Sequence, residues 1–320
     1  MRAGPGPHKC RTPGNLRLPG GDRYVKSRPP PREFTMRTPR LSRLGVLLVA
    51  LFALVVAPGV TAAPARAADQ WNPPSGLVQP LGEVWNHVES TYPDLYGFRN
   101  YGWDQVMANR GSVNYCVRWE SDAPVSAALR DQIHAALKKQ FGKWTAAMVE
   151  SDGTGHNAWP YRNVPVNIVG WAVKNRSQLQ WSDNSVDIYA GTPDSGGAPQ
   201  CAPDCGRFFH QDGDYSRCPG GAARHYDQSL WLTKGFQGGA GGDWGQRVGQ
   251  EYFTSALGQE NIHIYLHEVG HTFGLDDFYD WTPTGQCCFL MKAGSATRIT
   301  EFDKWMFRDF WRHLKSRYGL

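Results

Sequence analysis

The sequence lacks an apolar run long enough to cross a membrane. Its longest such run, residues 44–57, has fourteen residues, whereas a transmembrane helix needs about 20. Three arginines precede this run, and small residues ending in Ala67 follow it. This order of basic, apolar and small residues is typical of a secretory signal peptide. Residues 36–67 are therefore predicted to be cleaved off, the alternative being an uncleaved membrane anchor.

Residues 1–35 also lack any hydrophobic periodicity. They are rich in Arg, Pro and Gly, so they cannot build a core. Because signal peptides lie at the start of the translated chain, we interpret residues 1–35 as a mis-assigned upstream segment and Met36 as the translation start. The exported protein would then comprise residues 68–320.

The exported part lacks the basic excess of the full chain. The whole sequence has a formal net charge of +5, but residues 1–67 hold 12 of its 34 Lys and Arg and only 2 of its 29 Asp and Glu. The remaining 22 basic and 27 acidic residues give a net charge of −5. A nucleic-acid-binding function, which the basic isoelectric point would suggest, is therefore excluded.

The seven cysteines include no CxxC pair. Once Cys10 is removed with the N-terminal segment, an even number remains: Cys116, Cys201, Cys205, Cys218, Cys287 and Cys288. In an exported chain this count predicts up to three disulfides with unknown connectivity. We expect the adjacent Cys287 and Cys288 to bond to different partners. A second zinc site formed by Cys201, Cys205 and Cys218 is the alternative.

The most informative residues present are the run HEVGHTFGLDD, residues 267–277. On a helix, His267 and His271 lie on one face with their Cβ atoms about 5–6 Å apart, so both imidazoles can reach one Zn²⁺. Glu268 can hold a metal-bound water and act as general base. Gly274 can end the helix and turn the chain, which allows Asp277 to supply an oxygen as third ligand.

This run resembles the metzincin signature HExxHxxGxxH, with Asp in place of the last His. It is most similar to the snapalysin-type neutral proteases, whose third zinc ligand is an aspartate. The resemblance implies a methionine turn beneath the metal, for which Met291 is the candidate. Many metzincins have a tyrosine two residues after this methionine, but this chain has Ala293. No oxyanion-stabilising residue is therefore assigned.

Residue patterns around the motif predict an α+β fold. They indicate strands at 113–119, 164–173, 185–190 and 226–233, a long helix capped by Asp122, the zinc helix at about 261–273, and a last helix opened by Thr300 and Asp303. The glycine-rich stretch 236–242 lacks the Lys and Ser/Thr of a phosphate loop and is interpreted as a mobile loop. The resemblance implies a twisted, mostly parallel sheet with an edge strand, packed on the long helix and the zinc helix.

Domain boundaries follow from these elements. Residues 111–320 are predicted to form a metzincin-like catalytic domain. Residues 68–110, with an amphipathic helix around 81–92, are an N-terminal extension or a short pro-segment. Because this segment has no cysteine, a thiol-to-zinc latency switch is excluded, and Asp104 is the candidate carboxylate equivalent.

Several residues compete for metal binding. His263 lies one turn before His267 and is a candidate extra ligand. Asp276 competes with Asp277, and in another zincin class a distal residue such as Glu301 would supply the third ligand. Asp212 and Asp214 are candidates for a Ca²⁺ site.

Together these features predict a secreted, extracellular and monomeric zinc endopeptidase that acts on protein or peptide substrates. It would form no stable membrane association after signal cleavage. The alternative is a secreted, aromatic-rich carbohydrate-binding or adhesion protein with a structural metal site, since all thirteen Trp lie after residue 67.

Overall fold

A six-stranded sheet, with helices on one face and a disulfide-bonded loop on the other, organises the protein. The structure is a computed structural model that describes residues 71–320, which belong to one compact unit. The predictions for residues 1–35 and 36–67 lie outside the described residues. Between residues 71 and 320, no helix is long and apolar enough to cross a membrane.

The strands are β1 (Val113–Glu120), β2 (Val125–Ser126), β3 (Val166–Val173), β4 (Leu179–Gln180), β5 (Asp187–Ala190), β6 (Gln228–Thr233), β7 (Gly239–Gly242) and β8 (Gly245–Gly249). The helices are α1 (Ser75–Thr91), α2 (Gly102–Ala108), α3 (Ala127–Ala146), α4 (Gln250–Ser255), α5 (His263–Thr272) and α6 (Glu301–Leu314).

The main sheet has the order β5-β3-β1-β6-β8-β7, and β2 pairs separately with β4. All neighbours in the main sheet are parallel except β7, which runs antiparallel to β8 at the edge. The chain is thus α+β with a mostly parallel sheet, as predicted. Each predicted strand and helix is present, with ends shifted by a few residues.

Strand β1 shows why both faces of the sheet are covered. Tyr115, Val117 and Trp119 are fully buried in the main core, on the face that carries the helices. Cys116 points to the opposite face, where it belongs to a second buried cluster with Cys201, Cys205 and Cys218. Alternating residues of a strand point to opposite faces, and this central parallel strand is covered on both of them.

Two disulfides tie down the loop on the second face, Cys116–Cys201 and Cys205–Cys218. The alternative zinc site at Cys201, Cys205 and Cys218 is wrong, because all three sulfurs are in disulfides. The Sγ atoms of Cys287 and Cys288 lie 2.8 Å apart, longer than the S–S bond of about 2.05 Å. These adjacent cysteines are therefore not bonded to each other.

Helix α3 packs against the sheet through a buried stripe that includes Ile133, Leu137, Phe141 and Trp144. Its N-cap is Ser126, whose side chain accepts a hydrogen bond from the backbone N–H of Leu129 at 3.1 Å. The prediction that Asp122 caps this helix is wrong. Asp122 lies before the short strand β2 and instead bonds to Lys174.

The glycine-rich stretch 236–242 was predicted as a mobile loop, and this prediction is wrong. Its residues Gly239–Gly242 form edge strand β7, which pairs with β8 and packs directly on α5. The glycines are required by this close approach. A Cβ at Gly241 would lie 2.3 Å from the backbone oxygen of Glu268 on α5.

Helices α1 and α2 share the main core with the rest of the described chain. Leu81, Trp85 and Val88 of α1 are buried, and α1 packs against α6. Trp103 and Val106 of α2 are fully buried. Asp104 accepts hydrogen bonds from the Tyr101 backbone N–H, the Tyr318 hydroxyl and Arg317, so its carboxylate holds the C-terminal segment in place.

Candidate metal centre

Helix α5 presents His267 and His271 on one face, one turn apart. Their Nε2 atoms are 3.1 Å apart. The helix is held in place by α3, because the Trp144 indole N–H donates to the Leu266 carbonyl at 2.8 Å. At its N-terminal end, the Ile262 backbone N–H donates to the Gln140 side chain. The positions of both imidazoles are therefore fixed by packing on the sheet and on α3.

Gly274 ends α5 and turns the chain back. It has φ 98°, a conformation that favours glycine. Its N–H donates to the backbone carbonyl of His271, and the N–H of Leu275 donates to the backbone carbonyl of Gly270. These two bonds form a Schellman motif. A Cβ at Gly274 would also lie 2.3 Å from the ring of Phe310 on α6, so two independent reasons require glycine here.

This turn brings Asp277 to the two histidines. Its Oδ1 lies 2.9 Å from His267 Nε2 and 3.5 Å from His271 Nε2. Ligand atoms bound at 2.0–2.1 Å in a tetrahedral site are about 3.3 Å apart, so all three distances suit one small ion. Asp277 is 35% exposed at its side chain, which leaves an approach from solvent.

The second ring nitrogen of each histidine fixes its orientation. His267 Nδ1 lies 2.9 Å from the Leu290 carbonyl, and His271 Nδ1 lies 2.8 Å from the Leu275 carbonyl. Because a carbonyl only accepts, both Nδ1 atoms carry the proton. In the neutral rings the Nε2 lone pairs then face the point shared with Asp277, which is the arrangement of metal-binding histidines.

The charges of Asp277 and His271 stabilise each other. Burial by itself raises the pKa of Asp277, but the hydrogen bonds and charges of His267 and His271 lower it well below its usual range. Burial by itself lowers the pKa of His271, but contact with Asp277 and the charge of Glu268 raise it to about 9.

Met291 lies directly beneath α5 and is fully buried. A Cβ at Gly270 would lie 2.4 Å from its Sδ atom, so the helix and the methionine touch. Asp303, the N3 residue of the predicted capping box on α6, also accepts the backbone N–H groups of Leu290 and Met291 at 2.8 and 3.1 Å. One buried carboxylate therefore joins α6 to the turn that orients His267.

Glu268 sits next to the two histidines but is set back from them. Its Oε2 is 3.9 Å from His271 Nε2, farther than Asp277 Oδ1. Burial raises the pKa of Glu268, and the neighbouring histidine charges oppose this shift. The potential ligand atoms of His267, Glu268 and His271 also lie within 4.8 Å of one another. We nevertheless take Asp277 as the third ligand, because its oxygen lies closer to both imidazoles.

The competing residues lie elsewhere. The His263 ring is 2.9 Å from the Tyr252 hydroxyl, and Asp276 accepts a hydrogen bond from the Tyr92 hydroxyl. Glu301 is exposed and pairs with Lys304. The carboxylates of Asp212 and Asp214 each accept a backbone N–H two residues further on.

Tyr279 was missed in the sequence. It is 74% exposed. Partial burial of its hydroxyl, together with the charges of Asp277 and Glu268, raises its pKa to about 12. A hydrogen bond between this hydroxyl and Asp277 contributes to the rise in pKa. No periodic pattern marked it, because residues 275–280 form neither a strand nor a helix.

Comparison with known proteins returns no match. No family model matches the sequence, and neither a curated protein nor a solved structure matches this chain.

Proposed function

We propose that this protein is an exported zinc-dependent endopeptidase of the metzincin type. The observation that carries the proposal is the convergence of His267 Nε2, His271 Nε2 and Asp277 Oδ1 beside the buried carboxylate of Glu268. Two nitrogens and one carboxylate oxygen are a donor set that zinc favours, and three protein ligands leave the fourth position that catalytic sites use. The signal-peptide pattern and the two disulfides support export.

Zinc held by these residues would lower the pKa of a bound water and polarise the scissile carbonyl. Glu268 takes the proton from the attacking water and delivers it to the leaving amine. Its raised pKa suits this role, because a general base works best when its pKa approaches the working pH. Its distance from the histidines leaves space for the water.

Tyr279 is the candidate for oxyanion stabilisation. Its protonated hydroxyl lies close to Asp277 and Glu268, and the residue is exposed enough to meet a substrate. A positioned hydroxyl that donates to the developing oxyanion lowers the barrier to acyl transfer.

Peptides suit the site because of edge strand β7. In the described sheet, β7 pairs on one side only, with β8, so its outer edge can add an extended peptide as a further strand. Gly239 packs against the Glu268 carboxylate: a Cβ there would lie 2.2 Å from Oε1. A peptide on this edge would therefore run past the general base.

The test is a casein-cleavage assay on the protein after export, with and without a chelator. We expect activity to disappear with the chelator and to return with added zinc. Comparing Asp277→Ala with Glu301→Ala then identifies the third ligand: Asp277→Ala should lose bound zinc, whereas Glu301→Ala should keep it. A zinc-loaded protein that cleaves nothing would instead support the carbohydrate-binding alternative.

A further inference from the structure

The third ligand comes from a stretch without regular secondary structure. Between the end of α5 and the start of α6, the residues around Asp277 form turns and irregular chain. Such segments move unless side chains hold them. The three ligand atoms can remain about 3 Å apart only if contacts from elsewhere fix this stretch.

Helix α2 fixes the start of the stretch. The Trp103 indole N–H donates to the Phe273 carbonyl at 3.0 Å, in the fully buried core. This carbonyl is at the C-terminal end of α5, where backbone carbonyls lack helical partners. Gly102 lets α2 approach closely, since a Cβ there would be 2.8 Å from the Phe273 ring.

Helix α1 and the residue that follows it fix the stretch on both sides of Asp277. The Tyr92 hydroxyl donates to Asp276 Oδ1. On the far side, the Thr284 backbone N–H donates to Glu83 on α1 at 2.7 Å. Asp276 is held by Tyr92, and the next residue, Asp277, lies with its Oδ1 2.9 Å from His267 Nε2.

We propose that residues 75–109 remain in the working enzyme, and that Tyr92 is a positioning residue that holds Asp277 in its ligand geometry through Asp276. This inference rests on the proposed zinc-peptidase function. It distinguishes the two interpretations of residues 68–110: a removable pro-segment would leave an intact site behind, whereas this segment supplies three of the contacts that hold the ligand stretch.

The test compares Tyr92→Phe with Tyr96→Phe in the full exported protein. Tyr96 is a matched control, since its hydroxyl donates to the exposed Glu89 at 2.6 Å. The readouts are the zinc dissociation constant by chelator competition, kcat and KM, and the melting temperature of the zinc-free protein. We expect Tyr92→Phe to weaken zinc binding about 10–100-fold, as loss of a residue that orients a ligand does, and Tyr96→Phe to match wild type.

A second pair of variants separates positioning from general destabilisation. Asp276→Asn keeps an acceptor for Tyr92 and should bind zinc like wild type, whereas Asp276→Ala should match Tyr92→Phe. The double variant Tyr92→Phe/Asp276→Ala should be no worse than Asp276→Ala alone, because both substitutions remove the hydrogen bond between Tyr92 and Asp276. Wild-type zinc affinity in Tyr92→Phe overturns the inference, and so does full activity after residues 75–109 are removed. A wild-type protein that binds no zinc overturns the proposed function itself.

Discussion

Replacing Glu268 by Gln should lower the peptidase activity and raise the stability of the zinc-free protein. Gln has the shape of Glu but cannot take a proton from water. Loss of a general base typically costs a factor of about 10²–10⁴ in rate, which corresponds to about 2.7–5.4 kcal/mol in the activation free energy. Because Glu268 is set back from the three ligand atoms, zinc content should stay unchanged.

The same substitution should stabilise the zinc-free protein. Glu268 is only 5% exposed, and burial raises the pKa of its carboxyl. Each unit of such a shift costs the folded state about 1.4 kcal/mol at a pH where the unfolded chain is ionised. The free energy of unfolding of the zinc-free wild type should therefore fall as pH rises above about 4.5. Glu268→Gln should not show this fall. The stability difference between the two should grow with pH from that point.

The assay is peptide cleavage with zinc analysis, together with urea unfolding of the chelator-treated proteins between pH 4 and 7. Glu301→Gln is the control, because Glu301 is exposed and its ion pair is with Lys304 on the surface of α6. It should change neither activity nor zinc content. If Glu268→Gln keeps more than about a tenth of the activity, or loses its zinc, the general-base assignment is refuted.

Two further predictions concern packing and pH. Gly270→Ala should destabilise the protein by about 1–3 kcal/mol through its clash with Met291 and should weaken zinc binding. Gly142 has open space around it, so Gly142→Ala should stabilise α3 by about 0.5–1 kcal/mol. Equal effects of the two substitutions in denaturant unfolding would contradict this prediction. His134 accepts a hydrogen bond from the Trp171 indole at 2.7 Å, and burial lowers its pKa from 6.5 to about 4. As pH drops from 6.5 to 4, His134 is protonated in the unfolded chain but stays neutral in the folded protein. The free energy of unfolding should therefore fall by up to about 3 kcal/mol over this range. Unfolding of His134→Gln, measured across the same range, should lack this fall.

Some parts of the fold were predictable from the sequence because the interactions that form them are local. The buried stripe of α3, the capping box of Thr300 and Asp303, and the apolar strands all follow from spacing within a few residues. The N-cap of α3 was mispredicted because Asp122 and Ser126 are both good caps, and the short strand β2 decides between them. Strand β7 was missed because glycine has little tendency to form strands. Its glycines serve contact with α5, which spacing does not reveal.

The candidate site divides in the same way. The i, i+4 geometry of a helix determined from sequence alone that His267 and His271 share a face, and the glycine after them that the chain can turn. The motif register favoured Asp277 over Asp276, whereas the contact between Asp276 and Tyr92, which is far away in the sequence, required the tertiary structure.

The double role of Asp303, the position of Tyr279 and the contacts from α1 and α2 likewise required the tertiary structure. The physical reason is that helix periodicity and capping act over a few residues. The position of an irregular stretch depends instead on side chains that only folding brings together.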